Sequence, residues 1–569
     1  MSLLLLISAV SAPSTKYVLH VVADDLGYDD VGWRNGEAFT PTLDAFVEAG
    51  VEVPDFYTYM MCAPARGAVL SGRYPSHLGV YTANLAEWDL EKAKLLPAVL
   101  KEGAQRSGEK WATHALGKWH LGWYFRNYTA TYRGFDTFFG SSGNLGGEEG
   151  YWQHSLEGTN RCGGGPHSYA KDFIDANGTD LKIADTNVLS EYDANVLSAR
   201  AVSIVYDHPL DQHLYIYLAY HNVHDPQEAP CETVDRYVHT LSDGRKISNA
   251  MLTELDSGVA NVTNAMRARG MWDDTLVIFH TDNGGPPDHA CNHPLRGGKF
   301  TFWDGGLKGV AFLSGGAVPR AVRGSKFNGL AHVSDWYATI ASFGGVELPR
   351  DTGTAPLDSI DLWGAIQSGS ASPRTEVLHM PSHDGIVTPA CAAGEGNSST
   401  PSAHKGCSPA LRVGKYKLIV GWPGFNSVCT NAPPLPHNES LPFGHSGGKR
   451  HDDGTHCVGG EWTPSWRNGT LSCVPHCLFD LLADPGEAND LSNDPSYAET
   501  LVSLKSRLAE LSQSGAPFPV IQNTTKKGKT LKPQICANFN KTGFWLPADW
   551  FLSRERILQQ ATMEGLRIT

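Results

Sequence analysis

Two acidic pairs in this chain stand where strands should end. Asp24-Asp25 closes the apolar, β-branched run 17–23, and Asp282-Asn283 closes a similar run ending at Thr281. In open α/β sheets, sites form beyond the carboxyl ends of strands. Neighbouring carboxylates there repel unless something positive sits between them. Three carboxylates and an amide oxygen form a hard, all-oxygen donor set, suited to Ca²⁺ or Mg²⁺ rather than to zinc. Taken alone, each pair also reads as ordinary turn chemistry, because Asp and Asn cap turns.

A third cluster is Cys62-Ala63-Pro64-Ala65-Arg66. Proline suits the first turn of a helix, where its missing N–H costs nothing. That places Cys62 just ahead of a helix N-terminus, where unpaired N–H groups and the positive dipole end favour an anion. Arg66 adds a planar charge able to grip a tetrahedral oxyanion. The same cysteine also reads as a buried thiol or as an ordinary nucleophile of lowered pKa. Taken singly, Lys118 and Arg296 read as surface charges, and His120 as a core histidine.

The elements that must position these groups follow from periodicity. Runs 17–23, 214–219 and 275–280 have the length and composition of buried strands. Helical patterns lie between them: 42–48, and 249–266 with Met251, Leu255, Val259, Val262 and Met266 on one face. Strands alternating with helices predict an α/β layered fold with a largely parallel sheet. After about Arg374 the chain turns rich in Gly, Pro, Ser and Cys. Two strand-like pieces, 411–420 and 477–482, and a helix at 497–511 predict a smaller domain on an antiparallel sheet. The expected division is a signal peptide at 1–12, a catalytic domain at 16–373, and a smaller loop- and disulfide-rich domain at 374–569.

A chain of 569 residues is long enough for more than one ordinary domain, and its 41% hydrophobic and 19% charged residues fit a folded protein. The net charge of −14 opposes binding to phosphate backbones, so nucleic acid is excluded as the expected partner. Residues 1–12 are apolar and end in small side chains, as a secretory signal peptide does, though a buried N-terminal segment has the same composition. No later apolar run reaches the roughly 18 residues of a membrane span. Eight Asn-x-Ser/Thr sequons (Asn127, Asn177, Asn261, Asn397, Asn438, Asn468, Asn523, Asn540) and eleven cysteines also fit the secretory route. Six cysteines lie between Cys391 and Cys477 and read as disulfides. The count is odd, and Cys62 is the one whose surroundings differ. Cys473 and Cys477 alone would also fit zinc, but no Cys/His set with zinc-finger spacing accompanies them.

The motif Cys-x-Pro-x-Arg at 62–66 resembles the core signature of the type I, formylglycine-dependent sulfatases of the alkaline phosphatase superfamily. The likeness continues in order through Gly117-Lys118-Trp119-His120-Leu121-Gly122, Arg133-Gly134-Phe135-Asp136 and Thr281-Asp282-Asn283-Gly284-Gly285. Further on come Pro294-Leu295-Arg296-Gly297-Gly298-Lys299, Trp303-Asp304-Gly305-Gly306, His332-Val333-Ser334-Asp335-Trp336 and Leu478-Phe479-Asp480-Leu481. It covers roughly residues 17–545, and the branch most similar is that of arylsulfatase B, the N-acetylgalactosamine-4-sulfatases. The departures are Ala63, where Ser or Thr is usual, and Asp304, where Glu is usual.

The resemblance implies an alkaline-phosphatase-like fold: a large, mixed, mostly parallel sheet flanked by helices, with a smaller C-terminal antiparallel sheet and a helix. It also implies a hydrolase that releases sulfate from a sulfated carbohydrate or an aryl sulfate. Cys62 would be oxidised by the formylglycine-generating enzyme during biosynthesis, and the hydrated aldehyde would attack sulfur and later expel sulfate. Asp24, Asp25, Asp282 and Asn283 would hold one Ca²⁺ together with residue 62. Arg66 would help activate the attacking hydroxyl with Asp282 as base, Lys118 and Lys299 would neutralise the sulfate oxygens, and His120 would orient the diol. His224 would protonate the leaving oxygen, with His221 three residues earlier as its competitor. The destination would be the secretory pathway, either secreted or lysosomal. Two alternatives remain beside this reading: a binding protein for sulfated glycans that keeps the fold without the modification, and a zinc phosphoesterase of the same superfamily.

Overall fold

The computed structural model describes residues 15–81, 92–122, 125–141, 155–156, 170–185, 191–237, 243–287, 289–348, 353–382, 408–424, 449–450, 456–458 and 473–514. The segment 1–12 and the sequons from Asn397 onward lie outside them. Of the others, Asn177 and Asn261 are exposed and Asn127 is half-buried.

Three expected strands form the centre of a ten-stranded sheet. They are β1 (Tyr17–Ala23), β7 (His213–Ala219) and β8 (Thr275–Thr281). With β2 (Val51–Glu52), β3 (Trp111–Gly117), β4 (Thr137–Gly140), β5 (Ile174–Asn177), β6 (Asp180–Ile183), β9 (Ala311–Ser314) and β10 (Ser325–Lys326), the order is β10-β2-β9-β8-β1-β7-β3-β4-β5-β6. The run β8-β1-β7-β3-β4 is parallel. Strand β9 pairs antiparallel on one side, and the β5–β6 hairpin on the other.

Every residue of β1, β7 and β8 is buried, which is why they read as continuous apolar runs rather than alternating ones. The pleat divides them between two cores. Val18, Val22, Tyr215, Tyr217, Leu276 and Ile278 face helices α2 (Cys62–Ser71), α3 (Leu96–Ser107) and α6 (Asp335–Phe343). Leu19, Val21, Leu214, Ile216, Leu218 and Val277 face α1 (Pro41–Glu48), α4 (Asp193–Asp207) and α5 (Asp243–Ala268). The stripe Met251, Leu255, Val259, Val262 and Met266 is buried in this second core, as its spacing predicts.

A separate four-stranded antiparallel sheet follows, in the order β11 (Glu376–Met380), β12 (Ala410–Val413), β13 (Tyr416–Gly421) and β14 (Cys473–Asp480). The expected strand 411–420 is in fact the β12–β13 hairpin, with Val413 paired to Tyr416. Gly414, at φ 54, supplies the left-handed turn residue that the apolar pattern on either side concealed. Helix α7 (Ala498–Ser512) buries Leu504 and Leu508 in a third core shared with the small sheet and residues 57–61. Cys473 and Cys477 are bonded to each other, which removes them as zinc ligands, and Cys231 is bonded to Cys457. Cys62 is the free cysteine among the described residues.

Candidate active site

The carboxyl ends of four adjacent parallel strands meet at one place. Strand β8 delivers Asp282 and Asn283, β1 delivers Asp24 and Asp25, β7 leads into 221–224, and β3 leads into Lys118 and His120. Backbone bonds carry the sheet's order past the strand ends. Asp282 N donates to Ala23 O (3.1 Å), Asp24 N to Asn222 O (2.9 Å), Val223 N to Asp24 O (2.7 Å) and Lys118 N to Ala219 O (2.9 Å). The side chains are therefore aimed by the sheet rather than by long loops.

Helix α2 begins at Cys62 itself, one residue earlier than Pro64 suggests, with Met61 extended as its N-cap. Its first turn projects Cys62 and Arg66 at the strand ends, both buried. Arg66 donates Nε and Nη2 to Asp282 Oδ2 at 3.0 and 2.8 Å, and Nη2 lies 3.3 Å from Asp24 Oδ2. Lys118 Nζ donates to Asp24 Oδ2 and Lys299 Nζ to Asp25 Oδ2, each at 2.5 Å. Asn283 Nδ2 donates to Asp25 Oδ1 at 2.6 Å. Gly284 has to be glycine for this to close, since a Cβ there would meet Gly305 O at 1.8 Å.

Three carboxylates thus face three fixed cations inside the protein. Burial opposes the charge of Asp24, but Lys118 and Arg66 outweigh it and hold the carboxyl well below its usual range. Asp25 is likewise lowered, against burial, chiefly by Lys299. Burial and then Asp24 push Asp282 up to about 7, with Arg66 opposing. Burial also pushes the Cys62 thiol up to about 12, against Lys118 and Lys299. That direction is the opposite of the lowered pKa that an activated thiolate nucleophile needs.

The donor atoms fit a hard divalent cation. Asp24 Oδ1 and Asn283 Oδ1 are buried and accept no hydrogen bond, a costly arrangement that a bound cation would relieve. One ligand atom each from Asp24, Asp25, Cys62 and His224 falls within 4.8 Å of the others. A divalent ion added to balanced carboxylates and cations would leave the site positive, which suits an anionic substrate.

His224 and His221 separate cleanly. His221 Nδ1 lies 2.8 Å from Asp193 Oδ2 and its Nε2 lies 2.7 Å from Ser141 Oγ, so both ring nitrogens are engaged. His224 Nδ1 meets the Asp225 carbonyl at 2.6 Å, which fixes the hydrogen on Nδ1 and turns Nε2 toward Asp25 Oδ2 at 3.6 Å. Burial, then Lys299 and Lys118, hold the His224 pKa below its usual value. His120 is buried two residues beyond Lys118, at φ 55, and Asp25 has φ 60; both are left-handed conformations that non-glycine residues adopt at a cost.

Sequence reasoning missed Asn222. Its Nδ2 donates to Met251 O (2.7 Å) and Tyr192 Oη (3.0 Å), pinning the turn that carries His224 to helix α5. The available signal was its place directly after a buried strand, between the two histidines.

Comparison with known proteins points to one family. The family model described as Sulfatase matches residues 16–346. Arylsulfatase J of Mus musculus is 31% identical over 523 residues, spanning 90% of this chain and 78% of that protein. Arylsulfatase A of Homo sapiens is 26% identical, spanning 94% of this chain and 95% of its own length. N-acetylgalactosamine-6-sulfatase of Sus scrofa is 27% identical, over 65% of this chain and 71% of its own length. Among solved structures, Ps i-CgsB in complex with k-i-k-neocarrahexaose superposes with a TM-score of 0.64 at 22% identity, covering 93% of this chain and 100% of that one. The PsFucS1 sulfatase from Pseudoalteromonas sp. superposes at 0.58 and 19%, covering 88% and 92%.

Proposed function

Because this chain belongs to the sulfatase family and is a sulfate ester hydrolase, we propose that it works through a formylglycine made from Cys62 and through one Ca²⁺. The observation that carries this reading is the pair of buried, unpartnered oxygens on Asp24 and Asn283, in the cluster that also holds the unpaired Cys62 at the start of α2. Formylglycine there would supply a hydrated aldehyde: one hydroxyl would displace the alcohol from sulfur, and the other, by losing its proton, would let sulfate leave as the aldehyde re-forms. Asp24, Asp25, Asp282, Asn283 and residue 62 would hold Ca²⁺, which supplies Lewis acidity at a sulfate oxygen.

The chain's own side chains do the rest. Lys118 and Lys299, fixed on Asp24 and Asp25, bind the remaining sulfate oxygens and offset charge that grows in the transition state. Arg66 holds Asp282 in place, and Asp282 accepts the proton of the attacking hydroxyl. His120 orients that hydroxyl group. His224, when doubly protonated, gives its Nε2 proton to the leaving oxygen and keeps the hydrogen that Nδ1 donates to the Asp225 carbonyl.

The substrate class is a sulfated sugar or an aryl sulfate, in line with relatives named arylsulfatase and N-acetylgalactosamine-6-sulfatase. Maturation on the secretory route, ending outside the cell or in the lysosome, fits the disulfides and the exposed sequons. Inorganic sulfate release across a panel of sulfated glycans and aryl sulfates tests the activity. Asp282→Ala should lose bound calcium and turnover together; retention of most of the wild-type rate would refute the assignment.

A further inference from the structure

Phe300 is held in a conformation that its own side chain disfavours, directly beside the anion-binding lysine. Its φ is 71, in the left-handed region where a bulky residue is an outlier. Such strain persists only where the surroundings impose it, and it concentrates at functional sites. Among the described residues, four non-glycine residues share this region: Asp25, His120, Phe300 and Glu487. Two of them belong to the site already described. The surroundings that impose it on Phe300 are plain. Lys299 N donates to Gly285 O (3.2 Å), Phe300 N to Met60 O (2.9 Å) and Phe302 N to Pro423 O (2.7 Å). The turn is closed by Thr301 Oγ1 donating to Gly298 O at 2.7 Å.

This bracing presents a phenyl ring to solvent. Phe300 is 36% exposed, while Lys299 before it and Thr301 after it are buried. Glycine would take this backbone conformation without strain, so the turn itself gives no reason for an aromatic side chain. The ring centroid lies 5.3 Å from Lys299 Nζ. That ammonium also touches Asp25, so it marks the edge of the charged site. A sulfate ester gripped by Lys299 therefore brings the group on its ester oxygen alongside the ring.

We propose that Phe300 is a substrate-binding residue, a platform on which the ring of the sulfate-bearing group stacks, so that cyclic sulfate esters (sulfated pyranosides and aryl sulfates) are preferred over a bare anion. The inference rests on the sulfate-ester reading of the site and adds to it the subsite for the alcohol part. A pyranose presents a flat patch of C–H groups and an aryl group presents a π face; both pack against a fixed aromatic ring with little ordering cost.

Steady-state kinetics with 4-nitrophenyl sulfate and N-acetylgalactosamine 4-sulfate test this, with inorganic sulfate as a ringless competitor. Phe300→Ala should raise KM for at least one ring substrate about five- to tenfold, with kcat falling far less and the inhibition constant of inorganic sulfate within about twofold of wild type. Phe300→Tyr and Phe300→Trp should restore KM. Phe300→Gly, which suits the left-handed backbone, should show the same KM defect without loss of thermal stability. An unchanged KM in the Ala and Gly variants, with the wild type active, would overturn the proposal. So would a parallel rise in KM and in the sulfate inhibition constant, which would mean that Phe300 serves only to place Lys299. A wild type that releases no sulfate from either probe or from the wider panel of sulfated glycans and aryl sulfates would instead overturn the hydrolase reading, and the proposal with it.

Discussion

The chain buries two clusters of charge, and they are built on opposite rules. In one, Lys417 of β13 lies fully buried between Asp304 Oδ1 (2.6 Å) and Glu487 Oε1 (2.8 Å). Asp304 Oδ2 accepts from Tyr57 Oη at 2.6 Å, and Glu487 Oε2 accepts from Asp304 N at 2.6 Å. Arg412 in turn donates to Tyr57. Three of the four carboxylate oxygens accept a hydrogen bond, and the fourth, Glu487 Oε1, accepts none but faces the Lys417 ammonium at 2.8 Å. In the other cluster, at the strand ends, Asp24 Oδ1 and Asn283 Oδ1 are left without a partner. A network that satisfies itself fixes two layers of structure against each other, here the small sheet against the segments that carry Cys62 and Lys299. The network left open at the strand ends is the one that the proposed Ca²⁺ would close.

That contrast can be broken experimentally, and the largest effect belongs to the open cluster. Cys62→Ser should lower turnover by more than about a thousandfold while leaving thermal unfolding nearly unmoved, because the site's chemistry, not its packing, is removed. Activity assays paired with a melting curve check both halves. In the closed cluster the order reverses. Lys417→Met strands Asp304 and Glu487, and breaking a buried pair costs about 3–5 kcal/mol. Denaturant unfolding should report that loss, with turnover per folded molecule largely kept.

Metal removal is the next smaller step. Chelation should abolish activity and lower stability by about 2.7 kcal/mol relative to protein holding the ion at a hundred times its Kd, with recovery on adding Ca²⁺ but not Zn²⁺. Calorimetry of chelated and reloaded protein measures this.

The smallest effect concerns pH. His332 and His379 sit near these buried layers, and burial first, then Arg374 for His332 and Lys417 for His379, hold both pKa values well below 6.5. Each is neutral in the fold yet takes up a proton more readily when unfolded. Stability is therefore fully present above about pH 6.5 and declines as pH falls toward the folded values, with a slope of at most about 1.4 kcal/mol per pH unit for each histidine. A melting series from neutral to acid pH should show the decline, and replacing both histidines with uncharged residues of similar size should make it shallower, the rest coming from other buried histidines such as His20, His114 and His280. The activity profile should run the other way on its basic side, falling as His224 loses its proton.

How much of this was legible in the sequence depended on whether the signal was local. The strands 17–23 and 275–281 announced themselves as apolar runs, and the acidic pairs closing them marked the site, because a parallel sheet forces strand ends together. Cys62 was legible through Pro64 and Arg66, all within one helical turn. The closed cluster was not. Lys417 reads as one more surface charge beside Lys415, and Asp304 finds its partners 113 and 183 residues away. Asp304, visible in the sequence only as a departure from Glu, proves to be fully committed to Lys417 and Tyr57. The resemblance already favoured His224 over His221, but residue type alone did not separate them, since both follow the same strand; the distances support the same choice. Phe300 was hidden for another reason: its significance lies in a backbone angle and an exposed ring, and neither is written in residue type.

The most direct test of the central claim is the mass of the tryptic peptide 35–66 from enzyme secreted by a host able to modify it, measured beside sulfate release from the same preparation. The account predicts a species lighter by the change from CH₂SH to CHO at residue 62, with specific activity rising in proportion to its fraction. Fully active protein whose Cys62 is unmodified would contradict it.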